Sequence, residues 1–148
     1  MDHKILLINP DLVIRPRPIK PKEKFMSQLL QKLRDDAAAG RMYKSSYISA
    51  CAMFMISKHD NPSEARFLHD LVARNANTHK IPCLIPDQNL IRNTIARSLF
   101  CSKIDISNGY NSLRVRPEGE KYTAAVTPCR TYRTRYLQQG DYNSRASF

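Results

Sequence analysis

The stretch Ile48-Ser49-Ala50-Cys51-Ala52-Met53-Phe54-Met55-Ile56 constrains this chain more than any other feature. It is almost wholly apolar and lacks the alternation of a half-buried strand. It ends at the polar sequence Lys58-His59-Asp60-Asn61-Pro62-Ser63. A run this short cannot cross a bilayer, which takes about 20 apolar residues. It suits a buried strand, and the polar stretch with its proline suits a loop. Ala65 to Leu71 is a second extended segment, expected to return antiparallel to the first.

The flanks can then be read outward. Pro10, Pro16, Pro18 and Pro21 deny backbone donors and disfavour helix, so residues 1–21 read as an extended lead-in rich in proline and arginine. After Pro21, the residues Phe25, Met26, Leu29, Leu30, Leu33 and Ala37 recur at helical spacing, and Gly40 is a natural stop. Residues Asn75 to Pro86 read as irregular. Asp87 can cap a helix that carries Leu90, Ile91, Thr94, Ile95 and Leu99 on one face. Ser102 to Ile106 and Ser112 to Arg116 alternate as strands, and Asn108-Gly109 between them is the local signature of a two-residue hairpin turn. Tyr122 to Thr127 and Thr131 to Leu137 form a further strand pair around Pro128. Helix, hairpin, helix, then mostly strands is an α+β order.

Charge narrows the partners. The chain has 148 residues, 24 Lys+Arg against 13 Asp+Glu, and a formal net charge of +11. A basic excess spread along the chain favours a polyanion such as nucleic acid, or else a solvated basic surface without a partner. No apolar stretch reaches the length of a membrane span, and MDHKILLINP lacks the apolar region of a signal peptide, so an intracellular, non-secreted product is expected. Cys51, Cys83, Cys101 and Cys129 are scattered, with no histidine at metal-ligand spacing. Reduced, buried thiols are expected, disulfides being the alternative. His3, His59, His69 and His79 share no helical face or short spacing, and there is no Walker loop, nucleophile elbow or HExxH. Asp105 stands out inside Ile104-Asp105-Ile106: from a strand it would be either a hard-cation ligand or a solvent-facing carboxylate.

A set of ordered blocks adds to this reading. Ala65-Arg66-Phe67-Leu68-His69-Asp70-Leu71, Asn75-Ala76-Asn77-Thr78, Ile85-Pro86-Asp87, Ser102-Lys103-Ile104-Asp105-Ile106-Ser107-Asn108-Gly109-Tyr110, Lys121-Tyr122-Thr123-Ala124 and Gln138-Gln139-Gly140 follow one another along nearly the whole chain. In order and spacing they resemble the reverse transcriptase of gypsy-type LTR retrotransposons, and the upstream part resembles fungal members of that group. The resemblance implies an α+β, right-hand polymerase fold, holding the fingers and an incomplete palm. Residues 22–79 would be the first part of the fingers, 80–112 the first part of the palm, 113–143 the second part of the fingers and 144–148 the start of a palm helix.

The resemblance also implies roles. Asp105 matches the first catalytic carboxylate, a ligand of the two Mg2+ ions that serve in-line displacement. Arg66 and Lys58 match basic residues that contact the triphosphate of the incoming nucleotide. Tyr110 matches the aromatic gate beneath the sugar, and Gln139 and Gly140 match a nucleotide-pocket element. In the family, residues 105–110 run as a short helical turn, in place of the hairpin that Asn108-Gly109 indicates locally. The implied partners are an RNA or DNA template with its primer and deoxynucleoside triphosphates, and, in a parent polyprotein, the rest of the polymerase with an RNase H.

Three departures temper the expected activity. The family draws two further carboxylates from a tyrosine–any–aspartate–aspartate hairpin that comes later in its chain, and Asp35-Asp36 cannot substitute for it. Cys129-Arg130 stands where an aromatic and a glycine are usual, and Asn143-Ser144-Arg145-Ala146-Ser147-Phe148 replaces Asn-Ala-Pro-Ala-Thr-Phe. An inactive polymerase segment, prone to aggregate through exposed palm surface, is therefore expected. The alternatives are a non-catalytic basic module that binds nucleic acid and a transposon relic.

Overall fold

The computed structural model describes residues 2–17, 19–84, 86–106 and 109–147. Helix α1, Met26–Ala38, follows a 3-10 turn at Glu23–Phe25 and ends at Gly40, whose φ of +65° suits a residue without a Cβ. Its buried stripe is Phe25, Leu29 and Leu33, as the spacing predicts, while Leu30 and Ala37 face solvent. Each buried residue contributes roughly 1.5–3 kcal/mol relative to exposure. Gln28 fastens the helix to the start of the following hairpin: its Oε1 accepts from the Ala65 amide at 2.8 Å, and its Nε2 donates to the Ser63 carbonyl at 2.8 Å.

Five strands among the described residues form one sheet. They are β1 (Met42–Lys44), β2 (Cys51–Ser57), β3 (Ala65–His69), β4 (Ala125–Val126) and β5 (Thr131–Thr134), in the spatial order β1-β5-β4-β2-β3. The expected hairpin is present: β2 and β3 pair antiparallel with Met55 opposite Phe67 and Ser57 opposite Ala65. So is the β4–β5 pair, with Ala125 opposite Tyr132. The centre of the sheet is a parallel pair, Cys51 opposite Ala125 and Ala52 opposite Val126. Parallel neighbours need a long crossover connection, and here the whole of residues 58–124 supplies it. The core gathers Phe25, Leu29, Leu33, Met42, Cys51, Met53, Met55, Ala65, Leu71 and Ala125. The mixed α+β class is the expected one.

The lead-in is irregular, as its prolines dictate, but it is part of the folded body. The His3 amide donates to the Arg114 carbonyl at 2.7 Å and the His3 carbonyl accepts from Arg116 at 2.9 Å. Farther along, the Ala50 amide donates to the Ile14 carbonyl at 3.0 Å. His3 and Ile5 are buried.

Several local expectations are corrected. Residues Val72–Ala76 form a short helix, α2, where Asn75 and Ala76 read as irregular. Ser102 to Ile106 makes no strand, and Ser112 to Arg116 makes only isolated bridges, Arg114 to Tyr136 and Val115 to His3. Alternation alone forms no strand without a neighbour to supply the ladder. Gly109–Ser112 is a turn of helix, α4, while Asp105 and Ile106, expected in a helical turn running to Tyr110, have no regular structure, and Ser107 and Asn108 lie outside the described residues. Helix α3, Gln88–Arg97, is capped as expected, the Asp87 carboxylate accepting from the Asn89 amide at 2.8 Å. Its apolar face is largely exposed, however: Leu90 is 65%, Ile91 45% and Ile95 54% exposed, and beyond the helix Leu99 and Phe100 are each 93% exposed. Only Cys51 of the four cysteines is buried, and burial pushes its thiol up to about 11; Cys83, Cys101 and Cys129 are exposed. Among the described residues no helix is long and apolar enough to cross a membrane.

Candidate nucleotide-binding cleft

The β2–β3 hairpin carries two of the basic residues singled out above. Lys58 follows the last residue of β2, and its amide donates to the Glu64 carbonyl at 2.9 Å, which closes the loop between the strands. Arg66 lies opposite Ile56 in the ladder. The Lys58 ammonium pairs with the Glu64 carboxylate, and that hydrogen bond is the main reason the Glu64 carboxyl sits below its ordinary range. Arg66 is exposed and joins no ion pair among the described residues.

Gln139 reaches the same place from the other end of the chain. After β5 the backbone turns at Gln139-Gly140, where Gly140 has φ +94° and its carbonyl accepts from Asn75 Nδ2 at 2.9 Å. A Cβ on Gly140 would meet only Leu71 Cδ1, at 4.0 Å, so the constraint there is the backbone and not space. We expect Gly140→Ala to cost about 1–2 kcal/mol, the penalty of a left-handed conformation for an L-residue. Urea unfolding checks this, and a loss under about 0.5 kcal/mol would show that the turn relaxes easily.

Lys58, Arg66 and Gln139 line one cleft of about 580 Å³, together with Lys32, His69 and Asn111. That size is in the range of small-molecule sites, about 300–1,000 Å³. Lys32 is turned partly inward by its bond to Asp36, at 2.8 Å. His69 stands on the wall with a buried Nε2 that has no hydrogen-bond partner. Burial first, then Arg74 and Lys32, hold its pKa down to about 3, so the ring is neutral at neutral pH. Chemically, the cleft offers cations and an amide to a phosphate-bearing ligand, with Asp60 the one carboxylate on its lining.

The remaining predicted residues stand differently. Tyr110 is half-buried on α4, the element that supplies Asn111 to the cleft. Gly140 lines the neighbouring cavity formed with Leu71 and Asn75. Asp105 is exposed, on a segment without regular structure, and is not among the lining residues of this cleft. Among the described residues no three His, Cys, Asp or Glu side chains come together in a way that could hold a metal ion. A lone exposed carboxylate does not fit a two-Mg2+ centre, which needs several oxygen ligands held in geometry.

Beneath the Gln139 turn is a polar network that no local pattern announces. Arg74, 4% exposed, donates through Nη1 to Gln138 Oε1 at 2.6 Å and to the Tyr122 carbonyl at 3.0 Å, and through Nη2 to Asp141 Oδ2 at 2.8 Å. His3 Nε2 lies 3.3 Å from the other Asp141 oxygen, outside full hydrogen-bond geometry, while Nδ1 is 2.8 Å from Ser147 Oγ. These contacts join residues 48 to 144 positions apart, so the only sequence signal was a set of polar residues beside Gly140. The network braces the turn that presents Gln139.

No protein-family model and no curated protein matches the chain. Solved structures do. The foamy viral protease–reverse transcriptase dRH in complex with double-stranded DNA aligns with a TM-score of 0.75 and 21% identity, over 95% of this chain and 25% of that one. A prototype foamy virus protease–reverse transcriptase mutant gives 0.78 and 20%, over 94% and 19%. A further foamy viral protease–reverse transcriptase with double-stranded DNA gives 0.75 and 20%, over 99% and 28%. The chain thus spans 19–28% of the length of these structures. At this identity the likeness establishes the fold alone: the chain folds like the matched part of these protease–reverse transcriptases.

Proposed function

We propose that the cleft of Lys58, Arg66 and Gln139 receives the triphosphate of a deoxynucleotide, and that the chain is the nucleotide-holding part of an RNA-directed DNA polymerase. The carrying observation is that Lys58 and Arg66 on one hairpin and Gln139 from far along the chain, each expected to touch the nucleotide, line one basic cleft. The guanidinium of Arg66 offers a fork of donors to phosphate oxygens, and such charge-assisted bonds are the strong ones. Lys58 adds a point charge once it leaves Glu64. Gln139 presents an amide from a turn that glycine holds in shape, and Tyr110 would close the pocket beneath the sugar.

Primer and template are the partners we propose, since two of the foamy viral structures of this fold hold double-stranded DNA. A gypsy-type retrotransposon polyprotein, with RNase H elsewhere in it, is the source that the ordered motif blocks favour. Asp105 is the family's metal position, but the donor set here does not fit Mg2+, and we derive no catalytic step from it. On this reading the chain by itself binds nucleotide without polymerising. A non-catalytic nucleic-acid module is the second reading, and the absence, among the described residues, of any three His, Cys, Asp or Glu side chains placed to hold a metal favours it.

Titration with dTTP in the presence of EDTA, followed by intrinsic tyrosine fluorescence, tests the proposal without any metal. Arg66→Ala is expected to weaken binding about tenfold or more, the worth of one hydrogen bond between charged groups. Glu64→Gln is expected to strengthen it a few-fold by releasing Lys58. Equal affinity for dTTP in wild type and Arg66→Ala would refute the assignment.

A further inference from the structure

A second basic groove lies at the opposite edge of the sheet. It measures about 540 Å³, and Lys44, Lys121 and Arg133 line it together with Tyr47 and the single acid Asp11. Lys44 closes β1, and Arg133 stands on β5 opposite Tyr43. The strand order puts β1 and β3 at the two edges, with three strands between them.

Its cations are positioned but not neutralised. None of the three joins an ion pair among the described residues, whereas Lys32, Arg41, Lys58, Arg74 and Arg135 all do. The Arg133 guanidinium stacks 4.4 Å above Tyr43, and Lys121 Nζ sits 4.9 Å above Tyr122. Aromatic rings hold a cation in place while leaving its charge available. Arg133 Nε is buried and has no hydrogen-bond partner, an uncommon state for so strong a donor. Tyr43 and Arg135 already occupy the nearby Glu120, which therefore cannot serve the groove. Tyr47, edge-on to Tyr122 at 6.3 Å between ring centres, adds an aromatic wall.

We propose that this groove is a separate binding site for the sugar–phosphate backbone of a single nucleic-acid strand. Fixed cations beside aromatic rings are the chemistry of single-strand grooves. The cavity is of nucleotide scale and is walled by the lead-in at Asp11 to Val13. The assignment does not depend on the nucleotide reading of the other cleft.

The test is fluorescence anisotropy of a labelled twelve-residue oligothymidylate on the full chain over a salt series. The double variant Lys44→Gln/Lys121→Gln changes two exposed side chains, so it leaves the core intact. It should weaken binding about tenfold at low salt and reduce the slope of log affinity against log salt by about 1.4, the value for two phosphates of a single strand. Arg133→Gln should lower the slope by a further ~0.7, with circular dichroism confirming the fold. An unaltered affinity and slope in the double variant would overturn the proposal. So would tighter binding of a duplex of the same length, or full competition by inorganic phosphate at equal phosphate concentration.

Discussion

Asp141→Ala should remove about 3–5 kcal/mol of unfolding free energy, the usual result of leaving one partner of a buried ion pair alone. Asp141 is 4% exposed and holds Arg74 at 2.8 Å, and Arg74 is itself 4% exposed. Without the carboxylate, a guanidinium remains in the interior with only neutral acceptors. Since domains are stable by about 5–15 kcal/mol, the variant would lose a large share of its stability. A urea midpoint that implies a loss under about 1 kcal/mol would mean that water reaches Arg74 and the brace is not buried in solution.

The same residues set an acid limb. Burial alone would raise the Asp141 carboxyl, but the His3 ring and the Arg74 guanidinium outweigh it and hold the group below its ordinary value. A depressed folded value means that this stabilisation is present above about pH 4, the unfolded range, and is lost as pH falls through the folded value. His69 acts over a higher window. Its unfolded ring takes a proton near pH 6.5, while the buried ring resists until about 3, so stability declines as pH falls between these values. Urea midpoints measured from pH 7 to 4 should therefore slope in the parent and flatten in His69→Leu, while Asp141→Ala should change the slope only near and below pH 4. A parent-like slope in His69→Leu would show that the ring is solvated.

Phe25→Ala is the second large effect, at about 3–5 kcal/mol. Phe25 is 1% exposed at the head of the stripe that continues through Leu29 and Leu33, and it belongs to the cluster with Met42, Met53 and Met55. For a chain of 148 residues this lowers the melting temperature by about 10 °C. Leu99→Ala is the matched control: at 93% exposure it should move the midpoint by less than about 1 °C. Calorimetry that finds the two variants alike would show that α1 does not anchor this core.

The difference between these two apolar positions marks the limit of local reading. Apolar spacing at 25, 29 and 33 and again at 90, 91 and 95 describes an apolar helix face in both cases, and both helices exist with their expected signals, Gly40 after one and Asp87 before the other. Periodicity states which residues share a face, but not whether another element comes to cover it. The first face meets the sheet and the second meets solvent. The alternation of Ser102 to Ile106 failed for a related reason: a strand is a pair, and no partner lies beside it among the described residues.

For the candidate cleft, the residue types came from motif blocks that match a family, and their assembly came from topology. Lys58 and Arg66 were legible as neighbours because a short hairpin brings them together. Gln139 joins them only because β4 inserts parallel beside β2, which returns the chain after a crossover of many residues. The His3, Arg74, Gln138 and Asp141 brace left no pattern at all, since each residue is an ordinary polar side chain until folding removes its water. The sequence by itself determined what depends on neighbours a few residues apart: the first helix with its stop at Gly40, the β2–β3 hairpin, the Asp87 cap and the basic excess. The tertiary structure decided burial, pairing across the chain and the sharing of clefts, because those energies arise only when distant segments exclude water together.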